Sequence, residues 1–232
     1  MFYDFSVQNQ PSLDYSQSLV ATSILASDFS QLGVEVRRVT DAGSDWIHCD
    51  VMDGHFVDNI SFGPAFVQAV SQHTSLPLDA HLMIDRPDYY LERFLPFCNS
   101  ITAHVEAPHD VANTLDRVRR ANRFAGLALN PETSLDRIIP YFGKFDILLL
   151  MTVHPGFGGQ PFIPEVLEKI SRASQLREKN GHHFHIAVDG GIDAQTATFC
   201  RSAGANVFVA GTAIFKALNI QSAIQNIRQG PH

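Results

Sequence analysis

Four polar side chains are spaced so that a closed sheet would aim them at one point. In His48-Cys49-Asp50-Val51-Met52, alternate side chains of an extended strand share a face, which sets His48, Asp50 and Met52 on one side and Cys49 and Val51 on the other. Asp79-Ala80-His81-Leu82-Met83 places His81 and Met83 in the same way, and Val188-Asp189-Gly190-Gly191 brings a further carboxylate to a strand end. Two neutral imidazoles and two carboxylates are a ligand set for one divalent ion, and Zn, Mn, Fe and Co all suit it. Any one of these residues alone is an ordinary satisfied polar group. Together they are more, because ionised carboxylates turned into a narrow interior are costly to bury unless they are paired or meet a cation.

Asp50 and Asp189 have a second use. Two carboxylates facing one bound molecule can share acid and base work, one taking a proton and the other returning one. These two aspartates are the candidates. Met52, Met83 and Met151 all fall at expected strand ends, where an apolar lining would keep water from a reactive enediolate; core filler is the ordinary use of such residues. Glycine-rich segments supply a third chemistry. Gly156-Phe157-Gly158-Gly159 follows Met151 closely, Gly190-Gly191 follows Asp189, and Gly211-Thr212 precedes a short helix, so backbone N–H groups from three loops can meet one phosphate.

Such groups need a frame that brings strand ends together. From Leu19 onward, short apolar or β-branched runs alternate with longer amphipathic stretches, the pattern of βα units around a parallel sheet. Strands are expected at Leu19–Ile24, Trp46–Val51, Leu78–Met83, Ser100–His104, Phe124–Leu129, Ile147–Met151, His185–Val188 and Val207–Ala210. Eight strands point to a single-domain TIM (β/α)8 barrel over residues 18–230, preceded by an N-terminal extension over 1–17; an open doubly wound sheet is the alternative. The clearest helices run from Gln31 to Ala42, from Pro64 to Gln72 and from Pro164 to Lys179. In a barrel the functional groups stand at the C-terminal ends of the strands, where all the candidates above fall.

Composition narrows the rest. The 232 residues are 45% hydrophobic and carry a formal net charge of −7 with no basic run, which excludes a nucleic-acid track. No apolar stretch approaches a membrane span, and the polar start lacks the pattern of a secretory signal, so a cytoplasmic protein is expected. Cys49, Cys98 and Cys200 are far apart and read as reduced structural thiols. His182, His183 and His185 precede the seventh strand and are expected as a surface cluster on the opposite face, while His104 ends strand four and is a candidate to support the ligands from behind. Lyases on related barrels often use a lysine; Lys144, Lys169, Lys179 and Lys216 all fall in helices or in loops leading into strands. A non-catalytic sugar-phosphate-binding protein would retain His48 and Gly211 without needing both aspartates.

From about Leu19 to the end of the barrel the chain resembles ribulose-phosphate 3-epimerases. The segments that carry the likeness are Ser23 to Asp28, His48 to Val57, Asp79 to Met83, Met151 to Gln160, Asp189 to Gly191 and Gly211 to Phe215. The resemblance implies a pentose phosphate pathway isomerase that holds one divalent metal on His48, Asp50, His81 and Asp189. It further implies that Ser23 and His81 contact the substrate, a small phosphorylated ketose, that the glycine loops hold its phosphate, and that the protein is a homo-oligomer. Asp58 stands where the family usually has proline, and His154 replaces an acidic residue. Asn130 to Thr133 and Gln160 to Glu165 are also similar to D-allulose 6-phosphate 3-epimerases. The expected reaction is interconversion of D-ribulose 5-phosphate and D-xylulose 5-phosphate through an enediolate, with the six-carbon ketose phosphate as the alternative substrate.

Overall fold

A computed structural model describes residues 14–230; Met1 to Leu13, most of the expected N-terminal extension, lie outside the described residues. Eight parallel strands close into a barrel in sequence order, β1 Leu19–Ser23, β2 Trp46–Met52, β3 Leu78–Met83, β4 Ser100–His104, β5 Phe124–Leu129, β6 Ile147–Met151, β7 His185–Asp189 and β8 Val207–Ala210, with β8 paired to β1. The helices between them are α1 Leu32–Asp41, α2 Pro64–Ser71, α3 Pro87–Tyr90, α4 Val111–Arg120, α5 Val166–Lys179, α6 Ala194–Ser202, α7 Thr212–Phe215 and α8 Ile220–Gln229. The protein is a single-domain TIM barrel. None of the described helices is long and apolar enough to cross a membrane.

Local sequence explains the elements. In α4, Val111, Thr114, Leu115 and Val118 recur at helical spacing and are buried, Asp110 caps the first turn by accepting from the Asn113 N–H at 3.0 Å, and Arg117, Arg119 and Arg120 complement the dipole in the last turn. Helix α6 opens on a capping box between Asp193 and Thr196. The interval between β5 and β6 holds a 3-10 stretch, Leu135–Tyr141, because Pro140 inside it has no N–H to donate. Strand β1 stops at Ser23, one residue short of the expected end, since Ser23 caps the 3-10 turn Ile24–Ala26. The expected starts of the first and last long helices also move inward, to Leu32 and Val166, behind turns at Phe29–Gln31 and Pro164.

Side-chain alternation divides the core in two. Outward-facing residues such as Ile47, Cys49, Leu82, Leu127, Leu148 and Val188 form the shell against the helices. Inward-facing residues fill the barrel, and they differ around its circumference. Strands β5 to β8 contribute mainly apolar groups, among them Phe124, Leu149, Met151, Ala187 and Val209, whereas β2 to β4 contribute His48, Asp50, Asp79, His81, Ser100, Thr102 and His104, all buried. Gly126 on β5 lies in register with Thr102, and a Cβ there would stand 2.7 Å from Thr102 Cβ and 2.9 Å from its Cα, so the neighbouring strand yields its side-chain space to the polar layer. The three cysteines are free and buried, and burial raises each thiol, that of Cys200 to about 12.

One expectation fails here. His185 is not on the surface: as the first residue of β7 it points into the barrel floor, 1% exposed, with Asn206 Nδ2 donating to its Nδ1 at 2.8 Å and the rings of Trp46 and Tyr15 against it. The alternation that turns Asp189 inward turns His185 inward as well.

Candidate functional site

Strand register assembles the ligand cluster. His48 lies beside Asp79 and Asp50 beside His81 across the β2–β3 pair, while Asp189 enters from the far side at the end of β7. One ligand atom from each of His48, Asp50, His81 and Asp189 falls within 4.8 Å of the others. Asp50 Oδ1 is 3.2 Å from both His48 Nε2 and His81 Nδ1, and Asp189 Oδ2 is 3.8 Å and 3.5 Å from the same two nitrogens. Ligand atoms about 2.0–2.1 Å from a tetrahedral divalent ion stand about 3.3 Å apart, so the donor set fits one such ion in spacing as well as chemistry. The other Asp50 oxygen, Oδ2, accepts from the Ser23 hydroxyl at 2.6 Å.

Electrostatics within the cluster favour a cation. Burial opposes ionisation of Asp50, but His48 and His81 outweigh it and hold the carboxyl well below the usual range. Burial likewise opposes charge on the two imidazoles. For His48 the carboxylates of Asp50 and Asp79 reverse that and raise it, and for His81 those of Asp189 and Asp50 do the same. Four groups converging on one point thus create a negative potential that either protons or a metal ion would satisfy.

Behind each histidine stands a support. His48 Nδ1 donates to Asp79 Oδ2 at 2.8 Å, and Asp79 Oδ1 accepts from the hydroxyls of Ser100 at 2.6 Å and Thr102 at 3.4 Å. His81 Nε2 lies 2.8 Å from His104 Nε2, and His104 Nδ1 lies 3.1 Å from Glu106 Oε2. The second carboxylate oxygen, Glu106 Oε1, accepts from the Asn130 backbone N–H at 2.8 Å. Burial lowers the His104 pKa to about 4, keeping the ring neutral; Glu106, despite its own burial, is brought down to about 2 by His104, Thr133 and the Asn130 N–H. Phe56 covers the His104 ring at 4.8 Å between centroids.

A cavity of about 660 Å³ opens over the cluster. Ser23, Asp50, Asp189 and the three methionines Met52, Met83 and Met151 line it, together with Gly156, Phe157, Gly158, Gly159, Gly190, Gly191, Gly211 and Thr212, so every loop singled out for phosphate reaches the same space. At Gly191, φ is +63° and a Cβ would lie 2.8 Å from the Phe162 backbone nitrogen, so only glycine lets the β6 and β7 loops approach this closely. Gln160 Nε2 donates to the carbonyls of His154 and Phe157, and Asn59 Nδ2 to that of Gly156 at 2.6 Å, tying the glycine loop to the mouth. His154 itself is exposed and pairs with Glu132 at 2.7 Å, away from the ligand cluster.

Three participants were not singled out from the sequence. Asp79 shares its strand face with His81 by the same two-residue spacing that links His48 to Asp50, so the signal was present. Glu106 lies beyond the end of β4, where alternation no longer places a side chain. Lys216 lines the cavity near Thr212, because α7 is a single turn and its C-cap returns to the mouth.

Comparisons with known proteins agree with this geometry. Residues 19–215 match the Ribulose-phosphate 3 epimerase family. A ribulose-phosphate 3-epimerase of Synechocystis sp. is 46% identical, with 90% of this chain and 93% of that one covered. Its counterpart in Bacillus subtilis is 44% identical over 90% and 97%. Among solved structures, 3-hexulose-6-phosphate synthase from Salmonella typhimurium superposes with a TM-score of 0.64 at 17% identity, covering 91% of this chain and 97% of that one. The tryptophan synthase alpha-subunit from Pyrococcus furiosus gives 0.66 at 14% identity over 90% and 96%. These two likenesses concern the fold alone.

Proposed function

The chain belongs to the ribulose-phosphate 3-epimerase family and is an epimerase, and we propose that it inverts C3 of D-ribulose 5-phosphate to give D-xylulose 5-phosphate by two-carboxylate proton transfer. The observation that carries this reading is the placement of Asp50 on β2 and Asp189 on β7, three strands apart round the barrel, both lining one cavity that three glycine loops also line. One carboxylate takes the C3 proton and the other returns a proton to the opposite face, with their roles exchanged in the reverse direction. A divalent ion held by His48, Asp50, His81 and Asp189 would supply Lewis-acid stabilisation of the enediolate's negative charge. Ser23, donating to Asp50 Oδ2, orients that carboxylate and presents its own hydroxyl to the cavity. Met52, Met83 and Met151 exclude water from the reacting carbons, and the loops at Gly156–Gly159, Gly190–Gly191 and Gly211–Thr212 hold the phosphate by backbone N–H groups.

The five-carbon substrate is favoured over D-allulose 6-phosphate because the Synechocystis and Bacillus relatives bear the pentose-phosphate name at 44–46% identity. Purified protein incubated in deuterated water with each ketose phosphate should form the C3 epimer of ribulose 5-phosphate with deuterium at C3. Turnover of the six-carbon substrate alone would reassign the substrate; turnover of neither would overturn the proposal.

A further inference from the structure

The geometry points to a positioning pair behind the ligand cluster: Glu106, acting through His104, fixes one proton of His81 on Nε2, so that Nδ1 is the nitrogen left to take a metal ion beside Asp50 and Asp189. This inference rests on the reading of His81 as a metal ligand, and it follows from which atoms can donate. An ionised carboxylate only accepts, so the contact between Glu106 Oε2 and His104 Nδ1 requires a proton on that nitrogen. A neutral imidazole has one N–H, and in the fully buried His104 the Glu106 contact claims it. Its Nε2 is therefore an acceptor, and the 2.8 Å contact with His81 Nε2 must be donated by His81. With its proton committed there, a neutral His81 presents Nδ1 as a lone pair.

Residue 106 must accept at both oxygens. Oε1 faces the Asn130 backbone N–H, a donor that cannot be reversed, while Oε2 faces His104. Glutamine has the same shape but one acceptor. Its carbonyl would be claimed by Asn130, its NH2 would face His104 Nδ1, and that ring would move its proton to Nε2. His81 Nε2 would then have to accept, which leaves a proton on Nδ1 in the position of the metal-facing lone pair. Lys169 Nζ anchors the loop carrying Asn130 by donating to the carbonyls of Asn130 at 2.9 Å and Pro131 at 2.7 Å, so the fixed donor stays in place.

Ring-nitrogen NMR of ¹⁵N-histidine-labelled protein tests this directly, read at pH 8 with and without Zn²⁺. In the unmodified protein His104 is expected to carry its proton on Nδ1 and a bare Nε2; the reverse would overturn the inference without recourse to any variant. In Glu106→Gln the His104 proton is expected on Nε2, and Zn²⁺ affinity by competition titration is expected to fall about 10–100-fold. A folded Glu106→Gln protein with the original tautomer and undiminished affinity would also overturn it. Glu132→Gln, which removes a nearby carboxylate outside the relay, should change neither reading. If the unmodified protein shows the expected tautomer yet binds neither Zn²⁺ nor Mn²⁺, the metal-site reading fails while the relay stands.

Discussion

The two histidines of the cluster are held in contrasting ways. His48 reaches its carboxylate in one step: Asp79 is its register neighbour on the next strand, deep in the barrel, and Asp79's remaining partners are the hydroxyls of Ser100 and Thr102. His81 reaches its carboxylate in two steps, through His104 to Glu106, and that arm climbs off the end of β4 to finish on a backbone N–H of the β5 loop. The short arm ends on donors that can rotate. The long arm ends on one that cannot. Depth of burial is therefore a poor guide to which arm is less forgiving, because the freedom of the last donor decides whether a substitution can be absorbed.

The largest effect comes from cutting both arms at their shared tip. Asp50→Asn and Asp189→Asn should each lower kcat by at least about 10²–10⁴-fold, measured by C3 epimer formation, with far-UV circular dichroism unchanged. Full activity in either variant would remove that residue from the proton-transfer pair.

The next test separates the arms. In Asp79→Asn the carbonyl can keep accepting from His48 while the NH2 turns to Ser100, whose hydroxyl rotates to accept, so the His48 tautomer survives. Metal affinity should then fall by less than about tenfold, against the 10–100-fold loss typical of a disrupted ligand support and expected of Glu106→Gln. A greater loss for Asp79→Asn would make the short arm the less forgiving of the two.

A third test uses the sign of the pH response. Burial lowers the folded pKa of His104 to about 4 from the ordinary histidine value of 6.5, so between these values the unfolded chain binds more protons and stability falls as pH falls. His48 and His81 are raised and have the opposite sign, contributing stability at low pH that is lost as pH rises through their folded values. In chelator-treated protein, His104→Gln should flatten the urea-derived stability between pH 4 and 6.5 by up to about 1.4 kcal/mol per pH unit, the value for one proton. An unchanged slope would mean that His104 does not stay neutral in the fold.

The smallest effect is expected outside both arms. The His154–Glu132 pair is more than half exposed on each side, so Glu132→Gln should change unfolding free energy by less than about 1 kcal/mol. A larger change would show that the glycine loop depends on this pair.

Much of this was legible in the sequence, for physical reasons that also mark where legibility ends. Two-residue spacing fixed the common face of His48, Asp50 and Met52 and of His81 and Met83, because a strand that closes into a barrel has no other way to turn them. The same rule turns Asp79 inward on the face of His81, and turns His185 inward at the start of β7 although its place in a run of histidines suggests a surface cluster. Glu106 was beyond reach: its role depends on the register of β4 against β5 and on the backbone donor at Asn130, neither of which local periodicity encodes. The helix expected between β5 and β6 shortened to a 3-10 stretch because a single proline outweighed the amphipathic pattern around it.

Gly126 carries no functional group, touches no candidate ligand and sits on the apolar side of the barrel interior. Yet the space it leaves is where Thr102 stands, and Thr102 donates to the carboxylate that supports His48. A saturation scan scored for metal retention should therefore report Gly126 among the intolerant positions, and an engineer moving this cluster to another barrel would have to carry over an empty position along with the side chains.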